Sequence, residues 1–183
     1  MLTHVIDNQL FLKLFEPRDA EALYQLIQSN RNYLRKWLPW VDGTRTIDDT
    51  RSFIESTSVQ FTNNNGFTSG IYFNSLLCGM ISFHAMDWHN KKTSLGYWLA
   101  ESYQGRGIMT RTCKEVLTYA FTQLNMNRIE IRAGFHNYQS RAIPERLGFA
   151  YEGIARQSEW LYDHFIDHAV YSLLFTDWVN AAK

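Results

Sequence analysis

The sequence predicts an α+β fold, a mixed sheet with helices on its faces, and three observations carry that prediction. Early in the chain Ala20, Leu23, Tyr24 and Ile27 recur at helical spacing. From residue 67 the pattern changes to short, turn-bounded runs that suit strands. In the middle a strand, an amphipathic helix and a second strand follow one another. That order implies one parallel crossover, and the hairpins on either side imply antiparallel pairing.

The elements come in the order β, α, α, β, β, β, α, β, α, β, β. Residues 10–15, Leu-Phe-Leu-Lys-Leu-Phe, read as the first strand. Pro17 opens a helix at a first-turn position, with Asp19 and Glu21 near its positive end. A proline-broken aromatic segment, Trp37-Leu38-Pro39-Trp40, precedes a helix over 48–61, where Phe53, Ile54 and Phe61 are expected to face inward. Residues 67–73 and 76–85 form a hairpin around Asn74-Ser75, and 94–100 is another strand. The long helix that follows carries an apolar stripe of Met109, Cys113, Val116, Leu117, Ala120 and Leu124. Residues 128–135 alternate as a strand, and a short helix follows Asn137. Strands over 150–162 and 164–176 close the chain around Asp163-His164. Pro144 has no N–H to give the Ser140 carbonyl, so the short helix is expected to kink there.

A chain of 183 residues fits one domain, expected to span 1–183, and buries a core without disulfides or metals. Six Trp, ten Tyr and twelve Phe exceed what a core alone requires, so rings are expected in grooves or subunit contacts as well. Lys plus Arg equals Asp plus Glu at 18 each, so no broad basic field attracts nucleic acid or anionic membrane. Cys78 and Cys113 sit in apolar surroundings with no CxxC or Cys/His cluster, which predicts buried thiols and no metal site. The first residues show no signal-peptide pattern and no run approaches the ~20 apolar residues of a membrane span. A cytoplasmic protein is expected.

The chemistry points to Tyr103-Gln104-Gly105-Arg106-Gly107-Ile108-Met109-Thr110, placed between a strand and a helix N-terminus. A helix's first turn has unpaired N–H groups and partial positive charge, which suit a phosphate. Glycine at 105 and 107 clears the approach of a diphosphate to the backbone. A dinucleotide fingerprint would need glycine or alanine where Thr110 stands, in an opening βαβ unit. A P-loop would need GxxxxGK[ST], which is missing. A plain glycine turn is the remaining structural alternative.

The pattern resembles the (Q/R)-x-x-G-x-(G/A) loop of the GCN5-related N-acetyltransferases (GNAT), matched by Gln104, Gly105 and Gly107, with Met109 departing from the usual small residue. Asn137-Tyr138-Gln139-Ser140 followed by Glu145-Arg146-Leu147-Gly148-Phe149 resembles a second family segment, in the right order and separation. Trp37-Leu38-Pro39-Trp40 and Glu159-Trp160-Leu161 further resemble the RimJ/RimL-type branch, which acetylates ribosomal protein N-termini. The resemblance covers nearly the whole chain. It implies a mostly antiparallel sheet of about seven strands with a splayed central pair.

It also implies acetyl-CoA as cosubstrate and an amine as acceptor, without a metal. Tyr97, Trp98 and Leu99 would line the pantetheine arm, which pairs like an added strand. Gln104, Gly105, Arg106, Gly107, Ile108, Met109 and Thr110 would surround the diphosphate, and Asn137 would bond the arm near its reactive end. Glu159 is implied as general base and Ser140 as proton donor to the thiolate. Ser140 in a first helical turn also suits simple capping, and Glu159 also suits a solvent-facing strand position. His84, His89 and His136 are alternative bases, and Tyr138 an alternative acid. Trp37, Leu38 and Trp40 would wall the acceptor groove or pack against another subunit. The expected acceptor is a protein N-terminus, with a small amine such as a polyamine or aminoglycoside as the alternative, and a non-catalytic CoA-binding module as a third reading. A homodimer or higher homo-oligomer accords with the aromatic excess and the resemblance.

Overall fold

The computed structural model describes residues 3–181. The elements are β1 (Thr3–Val5), β2 (Leu10–Leu14), α1 (Ala20–Ser29), α2 (Arg31–Leu34), α3 (Ile47–Thr62), β3 (Phe67–Phe73), β4 (Leu76–Asp87), β5 (Lys92–Leu99), α4 (Ile108–Thr122), β6 (Arg128–Gly134), α5 (Tyr138–Arg146), β7 (Ala150–Leu161), β8 (His164–Leu174) and α6 (Phe175–Ala181). The strands order as β1-β2-β3-β4-β5-β6-β8-β7 in a sheet of 8 strands. The expected count of about seven is corrected by β1, a three-residue strand antiparallel to β2 and too short to show a periodicity. β5 and β6 are parallel and the other ladders described are antiparallel. The β5–β6 ladder covers only Lys92–Ser94 against Arg128–Glu130, and residues 95–99 of β5 continue beyond it. This is the splayed central pair.

The chain divides into two compact units. One takes in the described residues up to His84 together with Tyr97–Ile108, and the other takes in Ala85–Gly96 and the described residues from Met109 onward.

The first unit packs Phe15, Ala20, Leu23, Ile27, Leu34, Val41, Ile54 and Trp98 into one core, with Leu38 and Tyr33 partly buried against it. Pro17 starts a 3-10 turn, Pro17–Asp19, which α1 continues. Helix α3 opens on a capping box, in which the Thr46 hydroxyl accepts from the Asp49 N–H at 3.2 Å and the Asp49 carboxylate accepts from the Thr46 N–H at 2.8 Å. The buried face of α3 is Thr50, Ile54 and Thr57. Phe53 and Phe61, expected inside, are exposed at 38% and 41%. Phe53 lies off the i, i+4, i+7 face that Thr50 and Thr57 share with Ile54, whereas Phe61 continues that face but falls in the last turn of the helix, where it is exposed. The β3–β4 hairpin turns at Asn74 and Ser75 with φ of 49° and 64°, both left-handed, as two-residue hairpin loops require.

In the second unit α4 buries Met109, Cys113, Val116, Leu117 and Ala120, and β6 buries Ile129, Ile131 and Ala133. Leu124 lies past the helix end at Thr122. The last strand ends at Leu174, and residues 175 and 176, expected as strand, open α6 instead. That helix sets Trp178 against Phe121 with ring centroids 5.4 Å apart. Helix α5 runs from Tyr138 to Arg146 with Pro144 inside it. Pro144 has no N–H for the Ser140 carbonyl, while past it the Leu147 N–H reaches the Ile143 carbonyl at 3.1 Å. No helix among the described residues is long and apolar enough to cross a membrane.

Candidate active site

The glycine loop lies in the first unit. A 3-10 turn, Glu101–Tyr103, brings the chain round after β5, and Asn30 Oδ1 accepts from the Glu101 N–H at 3.0 Å. Gln104 then donates from its side-chain amide to the Tyr33 hydroxyl, tying the loop to α2. Burial raises the Tyr33 phenol above its usual range, so it stays protonated at neutral pH. Tyr33 escapes sequence reasoning, since 71 residues separate it from Gln104.

Gly105 and Gly107 adopt φ of 72° and 69°, a region that a Cβ strongly disfavours. A Cβ built on either meets nothing within 4 Å. Backbone angle and open space, rather than packing, are therefore what glycine provides. Arg106 is exposed, with its guanidinium 5.5 Å from the Tyr103 ring centroid. Ile108 and Met109 are 1% and 7% exposed, so the departing Met109 side chain is turned to the interior. Thr110 is half-buried in the first turn of α4.

In the same unit Trp98 and Leu99 are buried and Tyr97 half-buried, so a ligand along this part of β5 would meet backbone before side chains. The Ala100 N–H donates to Cys78 O at 2.8 Å. Trp40 lies 6.2 Å from Trp98, ring to ring. Trp37 and Leu38 are half-buried in the turn before Val41–Gly43. The acidic pair ahead is occupied locally: Asp48 pairs with Arg51 and Asp49 caps α3.

In the second unit Asn137 is the N-cap of α5, its Oδ1 accepting from the Ser140 N–H at 3.1 Å. Ser140 thus contributes its amide to a cap that Asn137 provides, and serine is not itself the capping residue. Arg141 anchors this helix. Its Nε donates to the Tyr171 hydroxyl at 2.9 Å, its Nη1 to Phe135 O at 2.8 Å, and its guanidinium stands 4.9 Å from the Phe135 ring centroid. The buried Tyr171 hydroxyl donates onward to Glu145 at 2.7 Å. Tyr171→Phe breaks both bonds, and the partners left behind regain water in part, since their side chains are 17% and 54% exposed. A loss of about 1 kcal/mol is expected, read as a lower urea midpoint at unchanged slope. An unchanged midpoint would mean that the network does not hold α5.

Glu159 lies on β7, which is largely exposed; Trp160 is 52% exposed. The Glu159 carboxylate accepts from His168 Nε2 at 3.2 Å, with side chains 31% and 15% exposed. His168 carries no signal in the sequence, because its register to Glu159 depends on a bulge. Of the other candidates, His84 is exposed with Nε2 2.8 Å from Ser82 Oγ, His89 is exposed, and His136 packs edge-on to Phe135. Tyr138 is 66% exposed. Cys78 and Cys113 are both buried; burial pushes the Cys78 thiol up to about 12 and Cys113 above its usual range, so neither is a nucleophile at neutral pH. Among the described residues no group of three or more His, Cys, Asp or Glu is placed to hold a metal.

Residues 9–150 match the model of the acetyltransferase (GNAT) domain. The putative ribosomal N-acetyltransferase YdaF of Bacillus subtilis (strain 168) is 39% identical over 97% of this chain and 98% of its own length. Among solved structures, the microcin C7 self-immunity acetyltransferase MccE, in complex with acetyl-CoA and AMP, is 29% identical with a TM-score of 0.88, over 92% of this chain and 94% of that one. RimL, a ribosomal L7/L12 alpha-N-protein acetyltransferase in complex with coenzyme A, is 26% identical with a TM-score of 0.91, over 94% of this chain and 97% of that one.

Proposed function

This chain belongs to the acetyltransferase (GNAT) family, and from that membership we propose that it transfers the acetyl group of acetyl-CoA to the α-amino group of a protein N-terminus, with ribosomal proteins as the acceptor class. One observation carries the cofactor half of this reading: two exposed glycines with left-handed φ lead directly into the N-terminus of α4. The helix supplies unpaired N–H groups and partial positive charge, and the glycines leave them uncovered. We assign the diphosphate to the backbone of Gly105, Arg106, Gly107, Ile108, Met109 and Thr110, with Gln104 holding the loop in shape. The pantetheine arm runs along Tyr97, Trp98 and Leu99, past the point where the ladder to β6 ends. Asn137 bonds the arm near the thioester.

Glu159 takes the proton from the attacking ammonium, and Ser140 gives one to the departing thiolate. Trp37, Leu38 and Trp40 receive the acceptor. The family match draws on both units, which supports one acetyltransferase domain over 1–183. A ribosomal acceptor places the enzyme in the cytoplasm. Trp160 and Phe165, exposed and in ring contact at 4.8 Å, support self-association.

The acceptor half rests on the likeness to YdaF and RimL. The likeness to MccE, an acetyltransferase solved with acetyl-CoA and AMP, supports a small-molecule acceptor, such as a small amine, as second reading. Thiol release from acetyl-CoA, measured across ribosomal proteins, polyamines and aminoglycosides, separates the two. Acetylation located at a ribosomal protein N-terminus is the expected result. Turnover on small amines alone would replace the acceptor, and stabilisation in a thermal shift by NAD but not by acetyl-CoA would remove the cofactor assignment.

A further inference from the structure

We infer that His168 is a positioning residue for acetyl transfer, holding the Glu159 carboxylate in one orientation through a contact that a bulge in β7 creates. This rests on the reading of Glu159 as general base.

The β7–β8 register explains how the contact arises. At the hairpin end Leu161 faces His164 and Glu159 faces Ile166. A regular ladder counted back from there would set Gln157 opposite His168. Instead the register shifts between Ala155 and Glu159, and Ala155 takes the place opposite His168. Residues 156–158 of β7 therefore lie against Asp167 alone. Directly opposed side chains meet first, and diagonal neighbours reach each other only where the opposed position leaves room. With the methyl of Ala155 in place of the Gln157 amide, the imidazole is open to its diagonal neighbour Glu159.

The bulge is itself fastened. Gln157 takes a left-handed φ of 48°, unusual for a residue with a side chain, and its N–H donates to Asp167 Oδ1 at 2.7 Å. Asp167 alternates to the opposite face from His168, so it secures the backbone without competing for the imidazole. Bulges recur beside active sites because they re-aim side chains. An ionised carboxylate only accepts hydrogen bonds, so the imidazole carries a proton on Nε2 and donates it to Glu159 Oε2 at 3.2 Å. A glutamate has three side-chain torsions and a general base must sit within hydrogen-bond reach of its proton, so a fixed donor on one oxygen leaves the other oriented for the amine.

The test uses the full chain, acetyl-CoA as donor and purified ribosomal proteins as acceptor, with thiol release as the readout. His168→Ala is expected to lower kcat about tenfold, as misplaced catalytic groups do, with KM for acetyl-CoA and Tm unchanged. His168→Gln, which presents an amide donor to the same carboxylate, is expected to recover most of the loss. In a Glu159→Gln background His168→Ala should remove nothing further. If Glu159→Gln is impaired while His168→Ala keeps full kcat, His168 does not position the base, and the reading of Glu159 survives. A loss that His168→Gln does not recover and that lowers Tm in parallel would make His168 structural and overturn the inference. A loss that persists undiminished on top of Glu159→Gln would overturn it too. Full turnover in Glu159→Gln alone would instead remove the base, and this inference with it.

Discussion

Glu159→Gln is expected to lower turnover by about 100-fold or more, within the ~10²–10⁴ that a positioned base contributes, while acetyl-CoA affinity and folding stability stay near those of the unaltered chain. The substitution keeps shape and removes only the charge and the proton-accepting capacity. Stability is spared because the carboxylate is 31% exposed and its one described partner, His168, regains water or donates to the amide oxygen. The size of the loss depends on the acceptor. An α-amino group with an ordinary pKa of about 7.7–8.0 is neutral in roughly one molecule in ten at pH 7, whereas a lysine-like amine near 10.4 is neutral in only about one in several thousand. A base has less to do for the first than for the second. The deficit should therefore sit near the lower end for a protein N-terminus, and shrink as pH rises from about 7 to about 9, where that amine deprotonates unaided. A polyamine acceptor should show the larger deficit over the same range. Turnover equal to that of the unaltered chain at every pH would remove Glu159 from the chemistry.

What was legible in the sequence follows from how local each constraint is. The glycine loop could be read because its requirement is carried by the residues themselves: at φ of 72° and 69° only glycine is comfortable, and a helix begins just beyond. The hairpin at Asn74-Ser75 and the α4 stripe are equally local. Where the physics is relational, the sequence misled or stayed silent. Phe53 and Phe61 looked like core residues, yet the phase set by Ile54 turns Phe53 away and buries two threonines, and Phe61 falls in the exposed last turn. Residues 175 and 176 looked like the end of a strand, because Phe175 is as apt for a sheet as for the helix whose Trp178 packs on Phe121. Glu159 was legible only through a family resemblance. Its partner His168 was not legible at all, since the pairing depends on a strand register interrupted by a bulge that no alternation pattern announces. The Gln104–Tyr33 bond belongs to the same class, a contact between a loop and a helix far apart in sequence.

Gly107→Val is expected to weaken acetyl-CoA binding by about 100-fold while costing the fold only about 1–2 kcal/mol. Two effects compete in such a variant, and their sizes separate them. The left-handed backbone costs a side-chain-bearing residue about 1–2 kcal/mol, a fall in Tm of roughly 2–8 °C for a chain of this size. A Cβ finds no protein atom within 4 Å, so no steric term is added while the loop is empty. With the cofactor bound, that open space is where the diphosphate approaches the backbone. Charge-assisted hydrogen bonds are worth about 1.5–3 kcal/mol each, and losing one raises Kd by roughly 10- to 100-fold. Gly107→Asn distinguishes the backbone effect from the spatial one. Asparagine tolerates left-handed φ better than other side chains, so its Tm should lie close to that of the unaltered chain, yet it places a Cβ and an amide in the same space. Calorimetry with acetyl-CoA should therefore find both variants weak binders and only the valine variant appreciably less stable. If Gly107→Asn binds as tightly as glycine, the loop does not cradle the diphosphate, and its glycines serve the turn alone.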